Sequence, residues 1–204
     1  MKFWLGIFGL VFVALVVVSV FLVPTSPGTN ATAAKVIAYY HNHKTALQVT
    51  SYLIEVAIFV GLFFFWYLRD FVAAAAGKAL ATIGFAGAVV FAVSGALSAG
   101  LTWAGTDAVG HMSGSVMQGL NVLENDLVFP LTGAGTAVFL FATGLAILRA
   151  RVVLPVWLGW LAIVASVAAL VVPWIGLIEI GVWLILTSIA ILVCANRTVA
   201  PAAT

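Results

Sequence analysis

Polar side chains recur at helical spacing just before an apolar run, "VAIFVGLFFF". Successive members lie three, four, three and four residues apart: His41, Lys44, Gln48, Ser51 and Glu55. On one continuous helix they would form a single stripe, which Tyr52 borders. A carboxylate at the depth of the hydrocarbon is costly when it faces lipid. We therefore expect Glu55 to face other helices or a water-filled cavity, as the principal charged contact or proton acceptor.

A second set of polar residues belongs to the same predicted site. Glu179 lies in the last apolar segment at a comparable depth, and we expect it to be the second charged contact. His111 and Glu124 lie in the polar segment after the third apolar run, and both are included in the predicted ligand-binding set. Glu124 is also interpreted as a polar-face residue of a surface helix.

Metal chemistry is an alternative for the three histidines. His41 and His43 lie two residues apart, and on a helix they would point about 200° from each other, so that both could not bind one metal. In a loop they could share a metal with a carboxylate, and His111 is a further candidate ligand. No histidine or lysine falls within a predicted span, so neither an embedded haem nor a retinal Schiff base is expected.

The elements that must position these residues are membrane helices. The chain has 204 residues, of which 65% are hydrophobic and 7% charged, with a mean hydropathy of +1.26, whereas soluble chains carry about 25% charged residues. We predict one all-α membrane domain over residues 1–204, with six spans long enough for a core of about 30 Å. The predicted spans are Phe3–Val23, Leu47–Leu68, Ala79–Trp103, Leu127–Leu148, Leu154–Val172 and Trp174–Ala195.

The charges of the connecting segments predict an orientation. With both termini in the cytoplasm, six basic residues lie inside and only Lys35 and Lys44 lie outside, which follows the positive-inside rule. We expect the first span to be retained rather than cleaved, because its apolar run is longer than that of a signal peptide. The net charge of +2, without a basic run, argues against a nucleic-acid partner.

An amphipathic helix is predicted outside the membrane, before the fourth span. Its apolar residues recur every three or four positions: Met112, Val116, Leu120, Leu123 and Leu127. Polar residues fall on the other side, so we expect this helix to lie on or dip into the outer interface. Asp126 is interpreted as the cap of the fourth span.

Three phrases carry a resemblance: "YYHNHKTAL", "WYLRD" and "GLAILRARVVLPVWLGWLAIVASV". The chain resembles poorly characterised families of small multi-spanning bacterial membrane proteins. The resemblance implies a six-helix architecture and a location in the bacterial plasma (inner) membrane, and it implies no activity and no functional residues.

The leading functional hypothesis is an outward-facing polar site within the membrane. It would bind or transport a small polar, cationic or amphipathic ligand through Glu55, Glu179, His41, Gln48, Ser51, Tyr52, His111 and Glu124. One alternative is an accessory subunit of a larger membrane complex, with other membrane proteins as partners. A second alternative, a metal-dependent enzyme at the outer interface, is less favoured than a non-enzymatic role.

Overall fold

Helices make up the fold, as the apolar composition predicts. The computed structural model describes residues 2–150, 154–173 and 175–197, with side chains from residue 4 to residue 193 within those ranges. No strand occurs in the described ranges. The helices are α1 (Lys2–Leu22), α2 (Ala33–Asn42), α3 (Lys44–Ala76), α4 (Lys78–Ala108), α5 (Gly114–Leu123), α6 (Phe129–Ala150), α7 (Val156–Val171) and α8 (Ile175–Arg197).

Five helical segments of the described chain are long and apolar enough to cross a membrane. They are α1, α3, α4, the segment from α5 to α6, and α8. Helix α7 is apolar but has only 16 residues. The helix that carries the predicted fourth span begins well before Leu127, because α5 continues into α6 through a π-helical turn, Glu124–Val128.

The long helices form a closed ring. Neighbours in space follow the order α1, α3, α4, α6, α7 and α8, and α8 returns to α1. Phe65 and Phe139 lie in the centre, where their rings meet edge to face at 5.1 Å. The tight turn between α3 and α4 is made by Gly77, whose φ of +96° favours glycine.

Glycines bring pairs of ring helices into backbone contact. A Cβ atom on Gly135 of α6 would lie 2.9 Å from the carbonyl oxygen of Gly87 on α4, and one on Gly87 would meet the backbone of Phe139. Small residues of this kind allow close helix packing in lipid. Gly87 and Gly135 therefore allow the backbones of α4 and α6 to pack in direct contact.

Residues 23–32, α2 and α5 form a cap over one end of the ring. The side chain of Gln118 donates to the carbonyl oxygen of Ala31 at 3.1 Å, and that of Asn121 donates to Gly28 at 3.2 Å. Met117 is fully buried between α5 and α2, where it packs with Val36. The cap is therefore held by polar side chains of α5 as well as by a small apolar core.

The predicted amphipathic helix before the fourth span is present as α5, and its polar side packs against the protein while the apolar residues Met112, Val116, Leu123 and Leu127 are exposed. One prediction about this region is wrong. Asp126 does not cap a helix, because the π-helical turn runs through it, and its carboxylate accepts from Thr29 at 3.2 Å. The polar side chains of α5 bind backbone carbonyl groups of the loop before α2, and the apolar spacing does not indicate this contact.

Candidate functional site

An open groove between α3 and α4 contains the predicted principal residue, Glu55. The groove has a volume of about 570 Å³. Ser51, Tyr52 and Glu55 line it from α3. The α4 side is formed by Gly100, Trp103, Ala104 and Asp107. Two carboxylates therefore line the same groove, and Asp107 is the member that the sequence reasoning did not select.

Helical spacing explains why these residues share the groove. Gly100, Trp103 and Asp107 are three and four residues apart, so they lie on one face of α4. Within the described part of the chain, no atom beyond its own turn of helix lies within 4 Å of a Cβ placed on Gly100, which leaves the floor of the groove open. The rings of Tyr52 and Trp103 meet edge to face at 5.4 Å across the two helices. The groove thus combines two carboxyl groups with aromatic surface.

The predicted polar stripe does not continue up to His41. The helix breaks at His43, whose φ of −117° and ψ of 16° separate α2 from α3. His41 is exposed on α2, and Gln48 is half-buried and does not line the groove. The continuous helix from residue 41 to residue 55 is therefore a wrong prediction, and only Ser51, Tyr52 and Glu55 line the groove together.

Glu124 lies in a second polar cluster, inside the ring beneath the cap. Its Oε2 atom accepts from the Tyr40 hydroxyl at 3.0 Å. Its Oε1 atom accepts from Thr102 at 3.0 Å and from Ser98 at 3.4 Å. The interpretation of Glu124 as a surface polar-face residue is wrong, because the polar face of its helix turns towards α2 and α4.

The two polar regions occupy opposite faces of α4. Residues two apart on a helix point about 200° from each other. Ser98 and Thr102 each lie two residues from Gly100, so they lie on the face of α4 opposite the groove. Glu124 begins the π-helical turn, a feature often found at functional sites. Tyr40 reaches Glu124 because Gly105 lacks a side chain: a Cβ there would lie 2.5 Å from the Tyr40 ring.

The tyrosines of the cap have raised pKa values. Burial, and then the charge of Glu124, raise the pKa of Tyr39 from 10.0 to about 12. The same two causes, with the hydrogen bond to Glu124 and the neighbouring Tyr39, raise the pKa of Tyr40 above its ordinary value. Both phenols are therefore neutral donors at physiological pH, and Tyr39 donates to the carbonyl oxygen of Pro24 at 3.1 Å.

The remaining predicted residues lie elsewhere. Glu179 is half-buried on α8, and its Oε2 atom has no hydrogen-bond partner within the described part of the chain. His111 is exposed in the connection after α4, and the His43 ring packs 5.4 Å from that of Tyr39. Neither Glu179 nor any histidine lines the groove. Across the described residues, no three His, Cys, Asp or Glu side chains form a group suited to a metal.

The sequence of α4 contains a signal for two contacts with Glu124 that were not predicted, those of Ser98 and Thr102. Ser94, Ser98 and Thr102 recur every four residues on α4, and this spacing places their hydroxyls on one helix face. They were not selected because the neighbouring glycines and alanines favoured a packing interpretation. The Tyr40 contact with Glu124 joins residues 84 positions apart, and no local pattern indicates such a pair.

The described residues form a helical membrane protein with five candidate spans, a groove with two carboxyl groups and aromatic rings, and a buried carboxyl cluster. Comparisons with protein-family models, curated proteins and solved structures gave no match.

Proposed function

We propose that this protein binds or transports a small cationic or amphipathic ligand in the groove between α3 and α4. The observation that carries the proposal is that Glu55 and Asp107 line one groove together with the paired rings of Tyr52 and Trp103. Carboxylates attract a cation, and the faces of aromatic rings add a cation–π interaction. The volume of about 570 Å³ lies within the roughly 300–1,000 Å³ typical of small-molecule sites.

The proposal includes six spans in a bacterial plasma membrane, with the cap on the outer side. Arg69, Lys78 and Arg149 lie near helix ends remote from the cap, whereas Lys35 and Lys44 lie in or beside it. This distribution supports the orientation with cytoplasmic termini. As the sixth span, α7 would be about 24 Å long, and a short span can be accommodated by local thinning of the bilayer.

The test compares a charged probe with an uncharged one. Isothermal titration calorimetry on the full chain in nanodiscs would measure binding of hexyltrimethylammonium and of 1-hexanol, which shares the alkyl chain but lacks the charge. We expect saturable binding of hexyltrimethylammonium only. Glu55→Gln and Asp107→Asn should each weaken it about tenfold, equivalent to about 1.4 kcal/mol. Gly100→Leu, which fills the open floor, should abolish it.

Glu179→Gln is the matched control, because it replaces a carboxyl group by an amide on a helix that does not line the groove. It should leave the affinity unchanged. Equal binding of both probes, or unchanged affinity in Glu55→Gln and Asp107→Asn, would refute the proposal.

A further inference from the structure

A crevice opens between α1 and α8, away from the acidic groove. The two helices meet closely at Gly6, where a Cβ would lie 2.5 Å from the Leu192 side chain, and again where Gly9 faces Ser188. Closer to the cap, the same helices line a crevice of about 360 Å³. Its apolar lining includes Val13, Val17, Phe21, Ile178, Val182 and Ile185.

The crevice continues into the interior of the ring. Phe12, Val16, Val20, Phe91 and Leu177 line both the crevice and an inner cavity of about 140 Å³. This inner cavity is bounded by residues of α1, α3, α4, α6 and α8 and by the π-helical turn. An apolar ligand that entered between α1 and α8 could therefore reach the centre of the molecule.

Hydroxyls at the inner end are already bonded within the protein. The hydroxyl oxygens of Ser94 and Thr132 lie 2.9 Å apart. Ser94 also contacts the carbonyl oxygen of Phe91, and Thr132 that of Val128. A buried water requires two to four polar partners, and an apolar cavity of about 150 Å³ stays dry and binds benzene. The chemistry of the lining therefore favours a hydrocarbon occupant.

The α1 wall is fixed to α3. The Phe12 ring fits against Gly61, where a Cβ would lie 2.7 Å from it, and meets the ring of Phe65 at 5.8 Å. Nearer the cap, the Thr50 hydroxyl donates to the carbonyl oxygen of Ser19 at 3.3 Å. Because these contacts hold α1 against α3, the crevice cannot close by a simple shift of α1 towards α8.

We propose that the crevice and inner cavity bind one acyl chain of a bilayer phospholipid. The mouth is bordered by exposed apolar residues such as Val17, Phe21 and Ile178, so it is continuous with the apolar surface of candidate spans. The lining of α1 from Phe12 to Phe21 extends about 14 Å along the helix, parallel to a lipid chain. If about 150 Å³ holds the six carbons of benzene, the crevice of about 360 Å³ holds about 14 carbons.

This inference does not depend on the cation site, because the crevice and the groove share no lining residue among the described side chains. Two glycines provide matched variants. Gly181 lines the crevice and Gly100 lines the groove, and a Cβ on either has no neighbour within 4 Å. Leucine at either position can therefore fill its own space without a collision at Cβ, and each variant serves as the control for the other.

The experiment uses the full chain reconstituted with a phosphatidylcholine that carries a diazirine at the end of one acyl chain. After irradiation, mass spectrometry would locate the labelled residues. We expect saturable labelling of inner-cavity residues such as Phe91 and Leu177, at up to one lipid per chain. Gly181→Leu should reduce that labelling at least tenfold, because it displaces several methylene groups from the crevice. Gly100→Leu should leave it unchanged.

Val20→Phe supplies a second variant that narrows both spaces from the α1 side. Labelling of Val164, an exposed residue of α7, reports ordinary lipid contact and should be equal in all variants. The inference is overturned if Phe91 and Leu177 are not labelled above Val164. It is also overturned if labelling persists in folded Gly181→Leu and Val20→Phe, as judged by their unfolding transitions.

Discussion

The hydrogen bond between Tyr40 and Glu124 links the cap to the interior of the ring, and its removal has a predictable cost. Tyr40→Phe keeps the buried ring against Gly105 but removes the donor that lies 3.0 Å from Glu124 Oε2. No other hydrogen bond to that oxygen occurs among the described side chains. Leaving a buried acceptor without its partner costs about 1–3 kcal/mol, so we expect Tyr40→Phe to lower the free energy of unfolding by about that amount.

Tyr39→Phe is a matched control on the adjacent residue. Its hydroxyl donates to the carbonyl oxygen of Pro24, at an exposed site, so its loss should cost about 0.5–1.5 kcal/mol. For a chain of 204 residues, each kcal/mol shifts the melting temperature by about 2–4 °C. Tyr40→Phe should therefore lower it by about 2–12 °C, and Tyr39→Phe by clearly less.

The assay is equilibrium unfolding in mixed dodecyl maltoside and SDS micelles, followed by circular dichroism. A double-mutant cycle with Glu124→Gln isolates the pair, and we expect a coupling energy of at least about 1 kcal/mol. Equal losses for Tyr39→Phe and Tyr40→Phe, together with a coupling energy near zero, would show that the buried contact does not stabilise the cap.

Two further predictions concern backbone packing and titration. Gly135→Ala should destabilise by about 1–3 kcal/mol, because a Cβ there would lie 2.5 Å from the Phe91 nitrogen. Gly119→Ala places its Cβ in open space and should stabilise the protein by up to about 1 kcal/mol through helix propensity. The same unfolding assay measures both variants. A similar effect of Gly135→Ala and Gly119→Ala would contradict the close α4–α6 contact. The pKa of Tyr39, raised to about 12, means that the folded chain keeps a proton that the unfolded chain releases above pH 10, so stability should fall as the pH rises from about 10 to 12. Near-ultraviolet absorbance should show Tyr39 ionising near pH 12 in the folded protein. Ionisation of all four tyrosines near pH 10, while the helices persist, would contradict the raised pKa of Tyr39.

Composition was sufficient to predict an all-helical fold with several long apolar helices, because lipid requires hydrogen-bonded backbone in each span. It did not predict the π-helical turn, since the residues of Glu124–Val128 are compatible with an ordinary helix. The break at His43 was missed for the same reason: the polar spacing continues across it while the backbone does not.

The candidate site was predictable in part. Spacing selected Ser51 and Glu55 together on α3, and the structure places both along one groove. The spacing does not indicate which face of α4 lies opposite Glu55 on α3, so Asp107 and Trp103 were not included in the predicted site. Glu124 was selected for its charge, but its burial depends on Tyr40, which approaches from a distant part of the chain.

The π-helical turn sets the rotation of one half of a long helix relative to the other. An ordinary helix advances about 100° per residue, so deleting one residue within Glu124–Val128 would turn α5 by about that angle relative to α6. Gln118 and Asn121 would then point away from the carbonyl groups that they now bind. The wider turn therefore allows one continuous helix to pack against the ring along α6 and against the cap along α5.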